Sequence, residues 1–470
     1  MVKKFLEEVW DTFLQFLGKE EAWLILFLLG LGGITLLALP SIDPWEILNI
    51  ILTLFRYTWW LWIFFIIFPL AVNTWVHWRQ EVFKRSLKFI LLELKIPREI
   101  VKTTQTMEQV LAALHSLRNA PGDIREKYAD GEVTVWFGLE LVSFSGEVHF
   151  YIRCQKKQRN LVEAAFFSYY PDVEVIEVED YVENFPKDVK ELYASGKDMW
   201  GTEMVLAREE AYPIKTYKFF ESEAEEKQFD PISTFLEVLG KLKPGEIVAM
   251  QFLIAPGAND WAKQWDGFLE KLQEPMTADV QSDDGTSRKV PISRSPGQYD
   301  VLEKVEENLS RPAFDTLIRF MYLSPKEIYY DSFARRGLVG AFNQYSALNL
   351  NALIQNYPVS TRTMIWYWPH VFPKVRNEFK KQRLLHNYRR REVPPETWIG
   401  RLITSKFFNW NFKSKRFKMN TEGIATIFHL PTSIVLTAPH IIRNESKKGG
   451  APAGLPIYGG EGDIEKFFQE

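Results

Sequence analysis

The histidines are the side chains best suited to proton transfer or metal binding, and all seven are scattered along the chain. None of them lies in an H-E-x-x-H pattern or at another metal-ligand spacing, and no G-x-S-x-G elbow is present. His149 and the only cysteine, Cys154, are expected on opposite faces of one strand, because alternate strand positions point apart. The sequence therefore predicts no metal site, and a surface histidine and a core cysteine rather than a catalytic pair.

Nucleotide binding would require a loop of the form G-x-x-x-x-G-K-[ST], in which backbone amides and a lysine hold the phosphates. The Gly-Lys pairs that begin at Gly18, Gly196 and Gly240 lack the partner glycine and the following hydroxyl residue. A single cysteine provides neither a disulfide framework nor a thiolate metal cluster. We expect no ATP site, no cofactor and no enzymatic activity.

The strongest functional signal is a basic segment, residues 374–418, in which cations far outnumber Glu378, Glu392 and Glu396. Aromatic residues such as Tyr388 and Trp410 are interleaved with these cations. Cations that neutralise phosphates and rings that stack on bases hold single-stranded nucleic acid without reading its sequence. The candidate polyanion-binding residues are Lys380, Lys381, Arg383, Arg389, Arg390, Arg391, Lys413, Lys415 and Arg416.

Two other interpretations of the basic segment remain open. It could be a solvated helix face over buried aromatic residues, or its cations could contact anionic lipid headgroups. Structural or lipid contact is favoured over nucleic acid. Residues 172–237 are, in contrast, strongly acidic, so the net charge of −3 hides two opposite poles.

Two uncharged apolar runs near the N-terminus, residues 22–39 and 57–76, are each long enough to cross a hydrocarbon core of roughly 30 Å. Both are expected to be helices, because lipid satisfies no backbone polar group, with Pro69 as a kink. They would form a transmembrane hairpin at 22–78, preceded by an amphipathic helix at 1–21. Basic residues flank the pair but are nearly absent from the loop between them, which places both termini in the cytoplasm.

The region after the hairpin reads as β-α-β-β-α-β between residues 79 and 185, the order of a ferredoxin-like domain. A helix at 107–117 is expected to begin with a capping box of Thr106 and Gln109, and Ser145-Gly146 is expected to turn a hairpin. The remaining elements are strands at 89–96, 133–141, 148–154 and 173–178 and a helix at 161–170.

The same order is predicted to recur at 200–370, with an insertion. Its elements are a strand at 214–219, a helix that begins at Pro231, strands at 246–254, 314–322 and 361–368, a polar linker at 274–300, and a long helix from Pro325 towards Ala347. The predicted fold class is thus α+β: a two-helix transmembrane hairpin, tandem ferredoxin-like units, a basic helical region at 371–446 and a flexible tail at 447–470.

Five segments carry a resemblance to a known family: residues 91–99, 170–181, 243–256, 419–431 and 453–460. Together they resemble the membrane-anchored N-terminal region of type IV secretion coupling-type ATPases, the conjugative DNA-transfer family, especially versions from small-genome bacterial lineages. In that family an ATPase domain with a P-loop follows the proline-rich segment, whereas this sequence stops at Glu470. The resemblance therefore carries over no catalytic residue and implies a membrane platform whose motor is a separate chain.

Three functions from different classes follow as expectations. The first is a non-catalytic component of a translocation machine, in the bacterial cytoplasmic membrane with its body in the cytoplasm, that docks a separate P-loop ATPase. The second is a membrane-tethered nucleic-acid-binding protein that acts through the basic segment on single-stranded DNA. The third is an enzyme of unrecognised type. Besides an ATPase or DNA, the expected partners are membrane lipids and further copies of the chain.

Overall fold

The computed structural model describes residues 44–96, 102–220, 230–274, 276–281, 287–292, 294–364, 370–405 and 412–431. The chain divides into two compact units, Met1–Val72 and Asn73–Glu470. In chain order the elements are α1 (Pro44–Ser86), β1 (Phe89–Lys95), α2 (Thr104–Ser116), β2 (Phe137–Phe144), β3 (Glu147–Gln155), α3 (Arg159–Tyr169), β4 (Glu174–Val178), α4 (Val189–Ala194), β5 (Lys197–Leu206), α5 (Ser233–Gly240), β6 (Ile247–Pro256), α6 (Asp266–Gln273), β7 (Met276–Gln281), β8 (Ser287–Ile292), α7 (Pro296–Leu309), β9 (Ala313–Pro325), α8 (Asp331–Asn343), β10 (Leu353–Gln355), α9 (Pro373–Arg390), α10 (Trp398–Ser405), β11 (Phe417–Asn420) and α11 (Thr421–Ile427).

Helix α1 contains the second predicted span, and Pro69 lies inside it. Among the described residues no single helix is long and apolar enough to cross a membrane. The parts Leu48–Leu61 and Ile63–Ser86, bent by 50° relative to each other, meet the length and composition criteria only as a pair. The first predicted span and the amphipathic helix before it lie outside the described residues.

The fold is α+β and is built on a large antiparallel sheet. Its strand order is β10-β5-β9-β6-β2-β3-β1-β4, with β11 paired to β9 beside this path. Strands β1 to β4 thus lie in the order 4-1-3-2 when they are counted from the β4 edge inwards. If β5, β6, β9 and β10 are numbered 1 to 4, they lie in the same order counted from the opposite edge, that of β10. The two groups meet where β2 pairs with β6, with Leu141 opposite Met250.

The first group of strands agrees with the sequence patterns to within a few residues. The predicted turn is present, because both Ser145 and Gly146 have positive φ angles of 56° and 97°, as a tight two-residue hairpin requires. The predicted capping box is wrong, since α2 begins at Thr104 and its N-cap is Thr103. Helices α2 and α3 follow β1 and β3, as the expected order has them.

The second group differs from the predictions by more than three residues in four places. Its first strand is β5, whereas residues 214–219, predicted as that strand, are irregular backbone and a 3-10 turn at Tyr217–Phe219. The predicted linker at 274–300 contains the hairpin β7–β8 and the start of α7. Strand β9 extends to Pro325, so the helix predicted from Pro325 begins only at Asp331. The last strand is β10, not 361–368, of which 361–364 are not strand and 365–368 lie outside the described residues.

The sheet is covered on both faces. On one face, alternate strand residues pack against helices α2, α3, α5, α8 and α11 in the main hydrophobic core. The other face holds a second cluster, in which Leu384, Leu385 and Tyr388 of α9 pack on Val142, Ala249 and Met321 of the strands. The predicted basic helical region is therefore partly wrong: its described part also contains strand β11, and α9 is one layer of the core.

Candidate functional site

Helix α9 lies close against the second face of the sheet and carries six of the nine candidate residues within or directly after it. The close approach depends on Gly201 of β5, because a Cβ atom there would lie 2.5 Å from Cδ2 of Leu384. The helix ends at Arg390, and Arg391 follows in the left-handed conformation with φ of 48°. This turn directs the chain after α9 back over the sheet, where Glu392 N donates to Asn387 O at 2.9 Å.

A row of polar residues crosses the sheet beneath the end of α9. Glu140, Gln251, Arg319 and Glu203 are directly opposite one another on β2, β6, β9 and β5. All four are buried, although every neighbouring strand position is apolar or small. Buried polar groups must be paired, so this row requires partners from the layer above it.

Helix α9 provides those partners with its terminal carbonyl groups. Arg319 donates to Glu203 Oε1 at 2.9 Å, to Asn387 O at 3.0 Å and to Glu392 O at 3.1 Å. Gln251 donates from Nε2 to Tyr388 O at 3.1 Å. Each of these two α9 carbonyls also accepts one backbone hydrogen bond and has a second lone pair free for a side chain. The carbonyls at a helix C-terminus are partly negative, so a guanidinium is a suitable cap.

Arg391 is the candidate residue most deeply involved in this network. Its Nε and Nη2 donate to the two carboxylate oxygens of Glu140 at 2.8 and 3.0 Å, and it also donates to Asp180. Burial would lower the pKa of Arg391, but the negative charge of Glu140 outweighs burial and raises that pKa well above its usual value. Tyr181 donates to Glu140 as well, at 2.7 Å. The structure thus holds Arg391 as a buried, fully paired cation.

Lys380 and Lys381 are also buried. Lys381 Nζ donates to Asp198 Oδ1 at 2.6 Å and to Tyr193 Oη at 3.0 Å. Burial opposes its charge, but these hydrogen bonds outweigh burial and raise the pKa of Lys381. Lys380 Nζ donates to Tyr357 O at 3.3 Å, and burial, with the charge of Arg376, lowers the pKa of Lys380 to about 8.

The other three candidates on α9 surround two adjoining clefts. The first cleft, of about 170 Å³, is lined by Arg383, Arg390, His77, His386, Glu81 and Glu392 among others. The second, of about 310 Å³, shares His386 and Arg390 with the first and adds Asp180, Val182, Glu183, Lys187 and Arg389. We call them the inner and the outer cleft. Nε of Arg383 and Nδ1 of His386 are buried without a hydrogen-bond partner among the described residues.

Two arginines and two carboxylates line the inner cleft, and one of the carboxylates, Glu81, also pairs with Lys84 at 2.9 Å. Burial lowers the pKa of both His77 and His386, so neither imidazole is charged at neutral pH. Arg383 and Arg390 therefore face Glu81 and Glu392, with Arg390 Nε 3.7 Å from Glu392 Oε2. The outer cleft is lined by three cations, Lys187, Arg389 and Arg390, and by two carboxylates, of which Asp180 is already paired with Arg391 and Glu183 is exposed.

Lys413, Lys415 and Arg416 lie away from α9, on the segment that leads into β11. Lys413 and Lys415 are exposed, and Arg416 Nη2 lies 3.4 Å from Glu396 Oε1. The structure therefore divides the nine candidates into three groups: buried in ion pairs or hydrogen bonds, around the clefts, and on this separate segment. Trp410 lies outside the described residues.

Sequence reasoning missed the polar row beneath α9. Its signal was present, since each of the four strands carries one charged or amide residue between apolar or small neighbours near its centre: Glu140, Gln251, Arg319 and Glu203. It also missed the clefts, which bring His77 and His386 together from distant parts of the sequence. Within the residues that the structure describes, no three His, Cys, Asp or Glu side chains are grouped so that they could hold a metal ion.

The chain is an α+β protein with a sheet covered on both faces, and its basic helix α9 is part of the core. The model of a family described as a domain of unknown function (DUF8128) matches residues 90–441. The chain belongs to this family, and the match spans the strands of the sheet, apart from Phe89 of β1, together with α9 and the outer cleft. His77 and Glu81 of the inner cleft lie before the matched residues. A comparison with curated proteins finds no match.

Proposed function

We propose that the chain is a membrane-anchored, non-catalytic platform of a translocation machine of the type IV secretion or conjugation type, and that its body docks a separate ATPase. The observation that carries the proposal is the run of exposed apolar side chains along α1. Ile50, Leu54, Phe55, Phe64 and Phe68 are each more than half exposed. Exposed apolar surface costs about 25 cal/mol per Å², so a continuous run of it is typical of a segment that lies in lipid or against protein.

The second part of α1 is attached firmly to the body. Val76 and Gln80 are buried, and Trp75 Nε1 donates to Tyr128 O at 2.8 Å. Arg79 donates to Ala129 O, and His77 Nδ1 lies 3.2 Å from Thr397 Oγ1. These contacts fix residues 75–80 of α1 to the body, as a platform held by this helix requires.

The architecture of the platform is part of the proposal. We assign both groups of strands to the ferredoxin-like class, supported by the order 4-1-3-2 in each group and by a helix after the first and the third strand. The transmembrane hairpin, the cytoplasmic position of the body and the separate ATPase come from the sequence patterns and from the resemblance of the five segments.

The test of the anchor uses the full-length chain expressed in bacteria. We expect it to stay in the membrane pellet after an alkaline carbonate wash, and a reporter fused after Gly460 that is active only in the periplasm should be silent. Co-expression with a P-loop ATPase encoded beside it should yield a complex that survives purification in detergent. Release of the chain by carbonate would refute the anchor, and an active periplasmic reporter would refute the topology.

Polyanion binding is the second candidate function, and the outer cleft is the observation that favours it. Its three cations, Arg389, Arg390 and Lys187, outnumber its two carboxylates, Glu183 and Asp180, and Asp180 is already paired with Arg391. We expect the detergent-solubilised chain to bind single-stranded DNA, and log affinity to fall with log salt by roughly 0.7 for each phosphate contact.

Two variants separate this candidate from a general effect of charge. Arg389→Gln with Arg390→Gln should lower the salt slope, whereas Arg125→Gln, at an exposed arginine outside the basic segment, should leave it unchanged. Equal slopes for both variants, or no binding at low salt, would refute polyanion binding through the outer cleft.

A further inference from the structure

Helix α10 is amphipathic, but residues of its apolar face are exposed to solvent. At 3.6 residues per turn, Trp398, Ile399, Leu402 and Ile403 form one continuous apolar face. Trp398 is 51% exposed and Ile403 is 45% exposed, whereas Gly400, on the opposite face, is buried. A helix on the surface of a soluble protein normally turns its apolar face inwards.

The small face of α10 is fixed against α1. A Cβ atom at Gly400 would lie 2.8 Å from Nδ1 of His77 and 2.7 Å from Oγ1 of Thr397, so no larger side chain fits there. Thr397 Oγ1 in turn lies 3.2 Å from His77 Nδ1. The outward position of Trp398 and Ile403 is therefore a consequence of close packing on the other side of the helix.

Further exposed apolar and aromatic residues adjoin the same stretch of α1. Trp75 and Trp78 are each about half exposed, with their ring centroids 5.3 Å apart. Tyr128, whose carbonyl accepts from Trp75, and Ile124 are exposed on the segment beside them. We call these six residues the interfacial patch: Trp75, Trp78, Ile124, Tyr128, Trp398 and Ile403.

Cations accompany the rings of the patch. The guanidinium of Arg79 lies 5.7 Å from the centre of the Trp78 ring, and Lys127 Nζ lies 5.6 Å from that of Tyr128. Arg401 is exposed on α10 between Trp398 and Ile403. Tryptophan and tyrosine with adjacent arginine and lysine is the composition of a membrane–water interface, where rings lie at the headgroup level and cations reach phosphates.

We propose that the interfacial patch lies in the headgroup region of a phospholipid bilayer, with α10 as a helix that lies on the membrane and does not span it. The inference rests on the proposed membrane anchor, because α1 carries its exposed apolar side chains immediately before Trp75 in the chain. Lipid is favoured over a protein partner by this continuity and by the pairing of rings with cations. The body would then touch the membrane at two elements, α1 and α10.

The test places a polarity-sensitive fluorophore on α10 of the full-length chain. Cys154 is fully buried, and burial raises the pKa of its thiol to about 12, so a maleimide should label only an introduced cysteine. The probe is attached at Ile403→Cys, with Trp398→Cys as a second position. Leu348→Cys, at a fully exposed residue outside the patch, is the matched control. The chain is reconstituted in vesicles of phosphatidylethanolamine with a minority of phosphatidylglycerol.

We expect a blue shift of the probe at both α10 positions and none at Leu348→Cys. Lipids with a nitroxide near the headgroup should quench the α10 probes more strongly than lipids with a nitroxide near the chain end, because an interfacial helix is only roughly 5–10 Å deep. A blue shift without quenching would mean that protein covers α10, such as residues 2–17 or a second copy, and would overturn the inference. No response at either position, in a chain that resists carbonate, would overturn the patch and leave the anchor intact. Release by carbonate would overturn both.

Discussion

The pairing of Arg391 with Glu140 predicts a large and specific loss of stability when the arginine is removed. Glu140 is fully buried in the sheet and accepts hydrogen bonds from Arg391, Tyr181 and Gln251. Asp180, the second carboxylate, keeps 30% of its side chain exposed and can be solvated without the arginine. Arg391→Met therefore leaves one uncompensated buried charge, that of Glu140.

The magnitude follows from the cost of such a charge. Removal of one partner from a buried ion pair destabilises a protein by roughly 3–5 kcal/mol, whereas a surface substitution stays within about 0.5 kcal/mol. Arg390→Met is the matched control, because Arg390 is the preceding residue, is exposed and lies 3.7 Å from Glu392. Glu140→Gln combined with Arg391→Met should recover much of the loss, since the buried charge is then absent.

The assay is urea unfolding of the full-length chain in mild detergent, followed by the fluorescence of its 16 tryptophans. We expect a much lower unfolding midpoint for Arg391→Met than for Arg390→Met, and a higher one for the double variant than for Arg391→Met. Binding of single-stranded DNA by any folded fraction should keep its salt slope. Equal midpoints for the two single variants would refute the structural role of Arg391.

Two further predictions concern α9 and the sheet beneath it. Lys380 loses its proton near pH 8 in the folded chain but near 10.5 when unfolded, so the unfolded state binds more protons between these values. The free energy of unfolding should therefore rise with pH across that window, by up to roughly 3 kcal/mol, and Lys380→Met should abolish the rise in denaturation curves recorded from pH 7 to the alkaline end of the window. Gly201→Ala should lower the free energy of unfolding by roughly 1–3 kcal/mol, because the new methyl group meets Leu384 and the carbonyl of Phe320. Gly267→Ala in α6 is the control and should be neutral or stabilising, because nothing lies within 4 Å of its new methyl group. Equal urea midpoints for both alanine variants would contradict the close approach of α9.

The first group of strands could be predicted from the sequence because its signals are local. Alternation at Leu139, Leu141, Phe150 and Ile152 identifies β2 and β3, and the serine–glycine turn between them fixes the register. The order β-α-β-β-α-β then limits how the strands can be arranged. What the patterns could not provide was the pairing of β2 with β6, because that contact joins segments about a hundred residues apart.

The second group failed where tertiary contacts override local pattern. Strand β5 has Gly201 and Glu203 near its centre, and both residue types are depleted in strands. They are tolerated because Gly201 admits α9 and Glu203 binds Arg319. In the segment 214–219, the side chains of Ile214 and Tyr217 are apolar and buried, but the backbone is irregular or forms a 3-10 turn instead of a strand. Burial alone therefore does not distinguish a strand from a packed loop.

In the candidate site, tertiary contacts likewise override what the local distribution of charge predicts. The acidic pole at 172–237 and the basic segment at 374–418 look like two separate surfaces in the sequence, yet their members pair inside the fold: Asp180 with Arg391, and Asp198 with Lys381. Glu203 accepts from Ser414 of the same basic segment.

The two charged segments consequently stabilise the packing of α9 on the sheet, and three of the nine candidate cations are not exposed to a polyanion. A basic segment can bind an external polyanion only through those cations that the fold does not already pair with its own carboxylates. On α9 this leaves Arg383, Arg389 and Arg390 around the clefts, which is why the DNA test uses Arg389 and Arg390 and the stability test uses Arg391.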